Sequence, residues 1–467
     1  MVYNVLEYGA CGDGVTNDGV AIQQAIDDCN RNGGGRVCLP GKRIYRSGSL
    51  WLKSNVELYI EEGAILKGSD VLEDYALFSR ERKGEEIEGT DVMVCSVAEP
   101  IVSTYENCDY DGKPTLYFLY AKNEENISIA GDGVIDGNEE IFYGKVTKWH
   151  IEGAFYPRVP MFYLENIRNL KMERITLTQS AFWTVHLVGC REVVIDSIRI
   201  FNNLRLANCD GIDPDHCQNV RIRNCTIESA DDCIVFKNTA GAVGYGNCEN
   251  ILVENCTLTS TSAAIKLGTE SKSSFRNIEV KNCTILKSNR GISLQLRDEG
   301  CMENITFSNI KIDTRLFSKK YWWGEGEPIA VTAVKRYEDT TVGQIKNIYF
   351  ENICCCGENG ILIYGDASKN ISNITFENVT LELQKKTDWP KCYHDLRPNF
   401  DNRIIEDSLR VLYICNASDI RLKNCLWMAD SQMKEEIIGE VLLEECDNIH
   451  SGLQEATIFD KIVTNIE

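Results

Sequence analysis

The chain has 467 residues, 43% hydrophobic and 25% charged, with a formal net charge of −21. This is an ordinary soluble composition with enough apolar residues to bury a core. So acidic a balance excludes nucleic-acid binding through a broad basic face, although a local basic cluster in a cleft can still take an anionic substrate. No apolar run reaches the roughly 20 residues needed to span a bilayer, so a membrane partner is not expected either.

The opening residues, MVYNVLEYGA, hold no basic stretch followed by a long apolar one, and a signal peptide is not expected. An amphipathic helix is expected just after, with Asp18 as its cap. Ala21, Ile22, Ala25 and Ile26 then share one face. Such a helix covers the open end of a repeat stack, whose end units need a cap.

The 21 cysteines are odd in number, and many sit in strand-like contexts such as RIRNCTI. Small buried thiols in a reducing compartment account for this better than a disulfide scaffold, so a cytoplasmic location is expected. ICCCG (Ile353 to Gly357) has no zinc-ligand spacing. No metal or cofactor is expected.

A repeat runs through most of the chain. NVRIRNC begins at Asn219, NILVENC at Asn250, NIEVKNC at Asn277, NITFSNI at Asn304, NIYFENI at Asn347 and NITFENV at Asn373. Looser copies begin at Asn126, Asn169, Glu192 and Asp419. Each alternates apolar and polar residues, which predicts a short half-buried strand. A unit of about 25 residues cannot bury its own apolar face and must stack on its neighbours. Asparagine at the strand ends suits a turn, because it tolerates the left-handed conformation and bonds nearby backbone. Identical asparagines can also bond one another up the stack. The pattern predicts an all-β fold: a single-stranded right-handed parallel β-helix, a solenoid with an N-terminal capping helix. A leucine-rich-type solenoid is the second architecture, but its leucine pattern is absent. One domain over residues 1–467 is expected, with long loops near 313–340 and 384–408.

Two acidic runs stand out. NCDGIDPDHC spans Asn208 to Cys217, and SADDC spans Ser229 to Cys233, with Asp231 lying 21 residues after Asp210. That is about one coil, so Asp210, Asp231 and Asp232 are expected on adjacent coils. Asp231 and Asp232 can share a cleft only where the backbone bends, since neighbours in a regular strand face opposite ways. Paired carboxylates are what glycosidic cleavage needs, one as acid and another as base or nucleophile. Solvated turn residues and a calcium site are the competing readings.

Other residues fall around these runs. His186 in FWTVH is odd-spaced from Trp183, which places the two on opposite faces of a strand. His216 is suited to orienting a carboxylate or bonding a sugar hydroxyl. Lys237 follows the Asp-Asp pair and is a candidate ligand for sugar or carboxylate. Trp322 and Trp323 lie in the first long loop, where an aromatic face can stack on a sugar ring. Arg397 lies in the second.

Together these segments resemble glycoside hydrolase family 28, the polygalacturonases and their relatives. NCDGIDPD is similar to the family's Asn-Thr-Asp-Gly-Ile-Asp motif, and ADDC to its Asp-Asp motif. GDGVIDGN, QSAFWTVHLVGC and the opening EYGACGDGVTNDGVAIQQAI also resemble family segments. The resemblance runs from near residue 4 to about residue 310. It implies inverting hydrolysis with Asp231 as general acid and Asp210 and Asp232 holding and deprotonating the water. Asp213 supports the cluster, and His186 lies toward the cleft. Glu270 in GTES is similar to a Gly-Ser-Glu variant of the family.

Two motifs depart from the family. The Gly-His-Gly histidine position reads Ser262 or Ala263. The Arg-Ile-Lys segment, which binds the substrate carboxylate in polygalacturonases, reads Ser293, Leu294 and Gln295. Lys266, Arg290 or Arg297 can compensate from nearby, or else the sugar there is neutral or modified. The expected activity is exo-acting cleavage of a pectin-derived or related oligosaccharide. A β-helix polysaccharide lyase, a carbohydrate epimerase and a non-catalytic glycan-binding solenoid are the alternatives.

Overall fold

Alternating apolar and polar residues form the short strands they predict, stacked in parallel as the coils of a right-handed β-helix. The computed structural model describes residues 1–78, 116–153, 158–318, 321–367, 370–389, 393–406, 409–437, 441–453 and 462–465. Internal contacts divide the chain into two compact units. One is Met1–Thr226 with Ala240–Tyr245, and the other is Ile227–Thr239 with Gly246–Glu467.

In the first unit, helix α1 (Gly19–Arg31) buries Ala21, Ile22, Ala25, Ile26 and Cys29. It packs on the strands of the first coils, Val2–Asn4, Gly35–Leu39 and Val56–Ile60. Asp18 occupies the N-cap position but makes no side-chain capping bond. Its carboxylate instead accepts from the Cys11 and Gly12 N–H groups at 2.6 and 3.0 Å. The expected cap thus ties down the preceding loop.

The repeat copies are in register. Ile127, Leu170, Val193 and Val220 lie over one another, as do Ile129, Met172, Ile195 and Ile222. Like stacks on like, so one apolar row of each strand continues the core of the last. A second row uses β1 (Leu50–Trp51), β2 (Leu119–Lys122), β3 (Phe162–Glu165), β4 (Val185–Val188) and β5 (Ile212–Asp215), paired in that order.

In the second unit, Ile305, Ile348, Ile374 and Ile420 stack. Phe307, Phe350 and Phe376 stack beside them with ring centroids 5.1 and 4.8 Å apart. Its second row is β6 (Ile234–Asn238), β7 (Ala263–Ser271), β8 (Arg290–Leu296), β9 (Ile329–Ala333) and β10 (Ile361–Gly365). The asparagine ladder is real. Asn250, Asn277, Asn304, Asn347 and Asn373 all have φ between 51° and 58°. Each amide donates to the one before, at 2.7 to 3.5 Å. The turn therefore requires a residue tolerant of the left-handed region, and asparagine also bonds along the stack.

The interval expected as a loop at 313–340 is interrupted. The strand Cys301–Thr314 runs into it and β9 lies inside it, leaving two shorter irregular segments. Within 384–408, Tyr393–Asp395 pairs antiparallel with Ile404–Glu406. Lys319, Lys320, residues 390–392 and residues 407–408 of these intervals lie outside the described residues. The described cysteines are free thiols, most of them buried. Among the described residues no helix is long and apolar enough to cross a membrane.

Candidate functional site

The Asp210 run is held from behind by its own unit. The Asp210 carbonyl accepts from Thr184 N–H at 2.8 Å, and Asn202 donates to the Cys209 carbonyl at 3.2 Å. Arg158, 3% exposed, donates to the Ala207 carbonyl at 2.7 Å and to Asn208 Oδ1 at 2.8 Å. Its guanidinium lies 4.7 Å over the Phe182 ring. Charge, planarity and a fixed fork make arginine suited to this clamp. No sequence signal marks Arg158, because its partners lie 49 and 50 residues away.

One face of β1 to β5 carries a column of Trp51, Tyr120, Tyr163, His186 and Asp213, each in register with the next. His186 sits edge-on to Tyr163 at 5.2 Å and to Trp183 at 4.8 Å. Trp183 and His186 are therefore in contact. Trp183 precedes β4, so the alternation that separates odd-spaced residues does not apply to it.

Asp213 and His216 are fully buried. So is Asp215, which lies 3.4 Å from His186 Nε2 and 3.8 Å from His216 Nε2. The expected sugar contact at His216 is not what this arrangement offers, since its side chain is fully buried beside Asp215. Asp215, two residues after Asp213 in β5, shares its face of the strand, the face that carries His186.

In the second unit, the backbone bends between Ser229 and Ile234, which is the condition for both aspartates to serve one cleft. Asp231 is half-exposed and Asp232 is buried. The turn is held by a run of hydroxyls one coil further on. Ser260 Oγ donates to the Asp231 carbonyl at 2.6 Å, and Thr261 Oγ1 donates to the Ala230 carbonyl. Asp232 accepts from Ser262 Oγ at 2.9 Å, from Ala263 N–H at 3.1 Å and from Lys266 Nζ at 2.8 Å. An ammonium at that distance suits a carboxylate and opposes a calcium ion there.

Beside it, β7 carries extra residues between Leu267 and Ser271 relative to β6. The bulge brings Glu270 within 3.5 Å of Lys237 Nζ. Gly268 in the bulge has φ 95°, and a Cβ there would lie 2.2 Å from the Gln295 carbonyl oxygen. Only glycine fits. Burial pushes the Glu270 carboxyl up, but Lys237, Arg336 and Lys266 outweigh it and hold the group below the usual range. Ser293 lies in register between Lys266 and Ala330, and Gln295 between Gly268 and Thr332.

Comparison with known proteins decides the family. The sequence model described as "Glycosyl hydrolases family 28" matches residues 101–393, and one described as "Rhamnogalacturonase A/epimerase, pectate lyase-like" matches residues 2–104. The chain belongs to glycosyl hydrolase family 28. A Vitis vinifera protein named "Probable polygalacturonase" is 27% identical over 239 residues, covering 50% of this chain and 44% of that one. The Dickeya chrysanthemi "Exo-poly-alpha-D-galacturonosidase" is 27% identical over 260 residues, covering 50% of this chain and 42% of that one. The matches thus span less than half the length of these curated relatives. The solved Yersinia enterocolitica family 28 exopolygalacturonase superposes with a TM-score of 0.70 at 20% identity, covering 99% of this chain and 79% of that one. At that identity the likeness speaks to the fold.

Several candidates of this family 28 chain are committed elsewhere. Lys266, expected as a ligand for a substrate carboxylate, is the Asp232 partner. Arg297 is fully buried and donates to the carbonyls of Leu296, Thr332, Leu396 and Pro398 at 2.8 to 3.3 Å. Burial, with Arg336 and Arg290 nearby, pushes it down to about 9. It anchors the 396–398 segment and does not reach a sugar. Arg290 donates to Glu327 at 3.1 Å and to the Asp395 carbonyl. Trp322 is buried at 5% exposure, which removes it as a stacking platform. One face of Trp323 is covered by Arg397, whose guanidinium lies 5.4 Å from the ring centroid. Arg397 itself grips both Asp395 oxygens at 3.0 and 2.9 Å.

Proposed function

We propose that this protein hydrolyses a glycosidic bond of a pectin-derived or related oligosaccharide, with inversion and from a chain end. The observation that carries the reading is the unequal pair at the Asp231–Asp232 turn. Asp232 is buried and accepts from a hydroxyl, an amide and an ammonium. A group so supplied with donors suits the base that orients and deprotonates a water. Asp231 is half-exposed beside it, which suits the acid that must reach the leaving oxygen. In our reading Asp210, one coil-length earlier in sequence, shares the water with Asp232, as family membership supports. Inversion requires room for that water between acid and base.

Lys237 and Glu270 are proposed to line the sugar subsite, with Asp213 and His186 supporting Asp210. Exo-action is supported by the name of the Dickeya relative. The many buried free thiols support our reading that the chain works in a reducing compartment, the cytoplasm. The test is a panel of plant and microbial oligosaccharides incubated with wild type and Asp231→Asn, read by mass spectrometry and anomeric NMR. Shortened products from wild type alone, with inverted configuration, are expected. Products with an ultraviolet-absorbing double bond would make it a lyase, and a changed sugar without cleavage an epimerase.

A further inference from the structure

Ser293 and Gln295 are 0% and 4% exposed, and Ser293 Oγ and Gln295 Oε1 have no hydrogen-bond partner among the described residues. Buried polar atoms are normally satisfied, and one that is not leaves its desolvation uncompensated. Both project from the face of β8 that continues the Lys266 position of β7. Adjacent strands are about 4.8 Å apart, so Ser293 stands one strand from the Lys266–Asp232 ion pair. The face opens toward solvent at Asp231, Lys266 and Glu270, none of which is fully buried.

The charges here are already matched. Lys266 meets Asp232 at 2.8 Å and Lys237 meets Glu270 at 3.5 Å. Arg336 places two nitrogens on Asp298, both at 2.9 Å. Arg290, Arg297 and Arg397 are held by Glu327, by backbone carbonyls and by Asp395. An incoming carboxylate would join the carboxylates of Asp232 and Glu270, which the two ammonium groups already match one to one, beside the carboxyl of Asp231. It would also bring no hydrogen for Gln295 Oε1, which can only accept. A sugar hydroxyl can donate to Gln295 Oε1 and to Ser293 Oγ without adding charge.

We infer that the subsite formed by Ser293 and Gln295 beside Asp231 and Asp232 takes an uncharged glycosyl residue, either a neutral sugar or an esterified uronate, and discriminates against a free uronate. The inference rests on the hydrolase reading above and narrows it. The experiment compares kcat/KM for oligogalacturonides as free acids, the same oligomers methyl-esterified, and oligosaccharides ending in neutral sugars.

The uncharged substrates are expected to be cleaved at least about 10-fold more efficiently than the acids, the size of one well-placed hydrogen bond. The esterified and neutral arms tell the two sources apart. Free acids cleaved as well or better would overturn the inference and leave the hydrolase standing. Cleavage of nothing would overturn the hydrolase reading. Calorimetry with Asp231→Asn then decides the inference alone, since tighter binding of the acids refutes it and tighter binding of uncharged oligomers upholds it. Gln295→Met should raise KM for uncharged substrates about 10-fold with little change in kcat. Gln295→Lys should shift preference toward the acids, and an unchanged preference in both variants, at wild-type Tm, counts against the assignment.

Discussion

The two acidic runs have similar sequence character and opposite fates. Around Asp215 the charge is fully buried and shared between His186 and His216. Around Asp231 the chain bends, and one carboxylate stays half-exposed while its neighbour is gripped from below. NCDGIDPDHC holds more carboxylates than SADDC, yet its Asp215 is fully buried between two histidines. What separates them is the backbone: Asp215 ends a regular strand whose pleat dictates its direction, whereas Asp231 and Asp232 occupy a bend between strands. An acidic cluster is therefore better judged by where the strand stops than by how many carboxylates it holds.

Substitutions can break or sharpen that contrast. The largest effect is expected at the bend. Asp231→Asn should lower kcat about 10³-fold with oligosaccharide binding retained, the usual scale of a lost general acid. Steady-state kinetics with calorimetry reads both. Asp215→Asn, at the buried end of the first run, should change kcat far less while lowering Tm. A loss of rate matching Asp231→Asn would erase the distinction between the two runs.

Next in size is the support under the bend. Lys266→Met leaves the Asp232 carboxylate buried without its ammonium and should cost about 3 kcal/mol in urea unfolding. Adding Asp232→Asn should restore part of that, because the orphaned charge is gone. Ser262→Ala should cost about 1 kcal/mol, since Asp232 keeps Ala263 N–H and Lys266.

The smallest effect is the pH dependence of the Lys237–Glu270 pair. The Glu270 carboxyl is held below its ordinary value of 4.5. A depressed carboxylate contributes stability that is fully present above the unfolded value and is lost as pH falls through the folded one. The Tm difference between wild type and Glu270→Gln should therefore be constant near neutral pH and shrink below about pH 4.5. A difference that grows on acidification would reverse the sign of the interaction.

The coil architecture was legible because one residue type marks each turn. Asn219, Asn250 and Asn277 announce both the period and the left-handed conformation that asparagine tolerates. The Asp231–Asp232 bend was legible from two adjacent acids that a straight strand would separate. The hydroxyl grip of Ser260, Thr261 and Ser262 was not, since Ser and Thr near a strand end read as ordinary strand residues. Arg297 was misjudged for a related reason. Its partners are backbone carbonyls, two of them near residue 397, and carbonyls have no sequence signature. The burial of Trp322 is not legible for its own reason: an aromatic in a loop does not reveal which side is covered.

The central claim is that this family 28 chain cleaves by adding water, with Asp231 as the proton donor. The most direct test runs the reaction in ¹⁸O-labelled water with wild type and Asp231→Asn, on acidic, esterified and neutral oligosaccharides. One labelled oxygen at the new reducing end from wild type, and almost none from the variant, is the predicted result. Products without label, or equal labelling by both proteins, would contradict it.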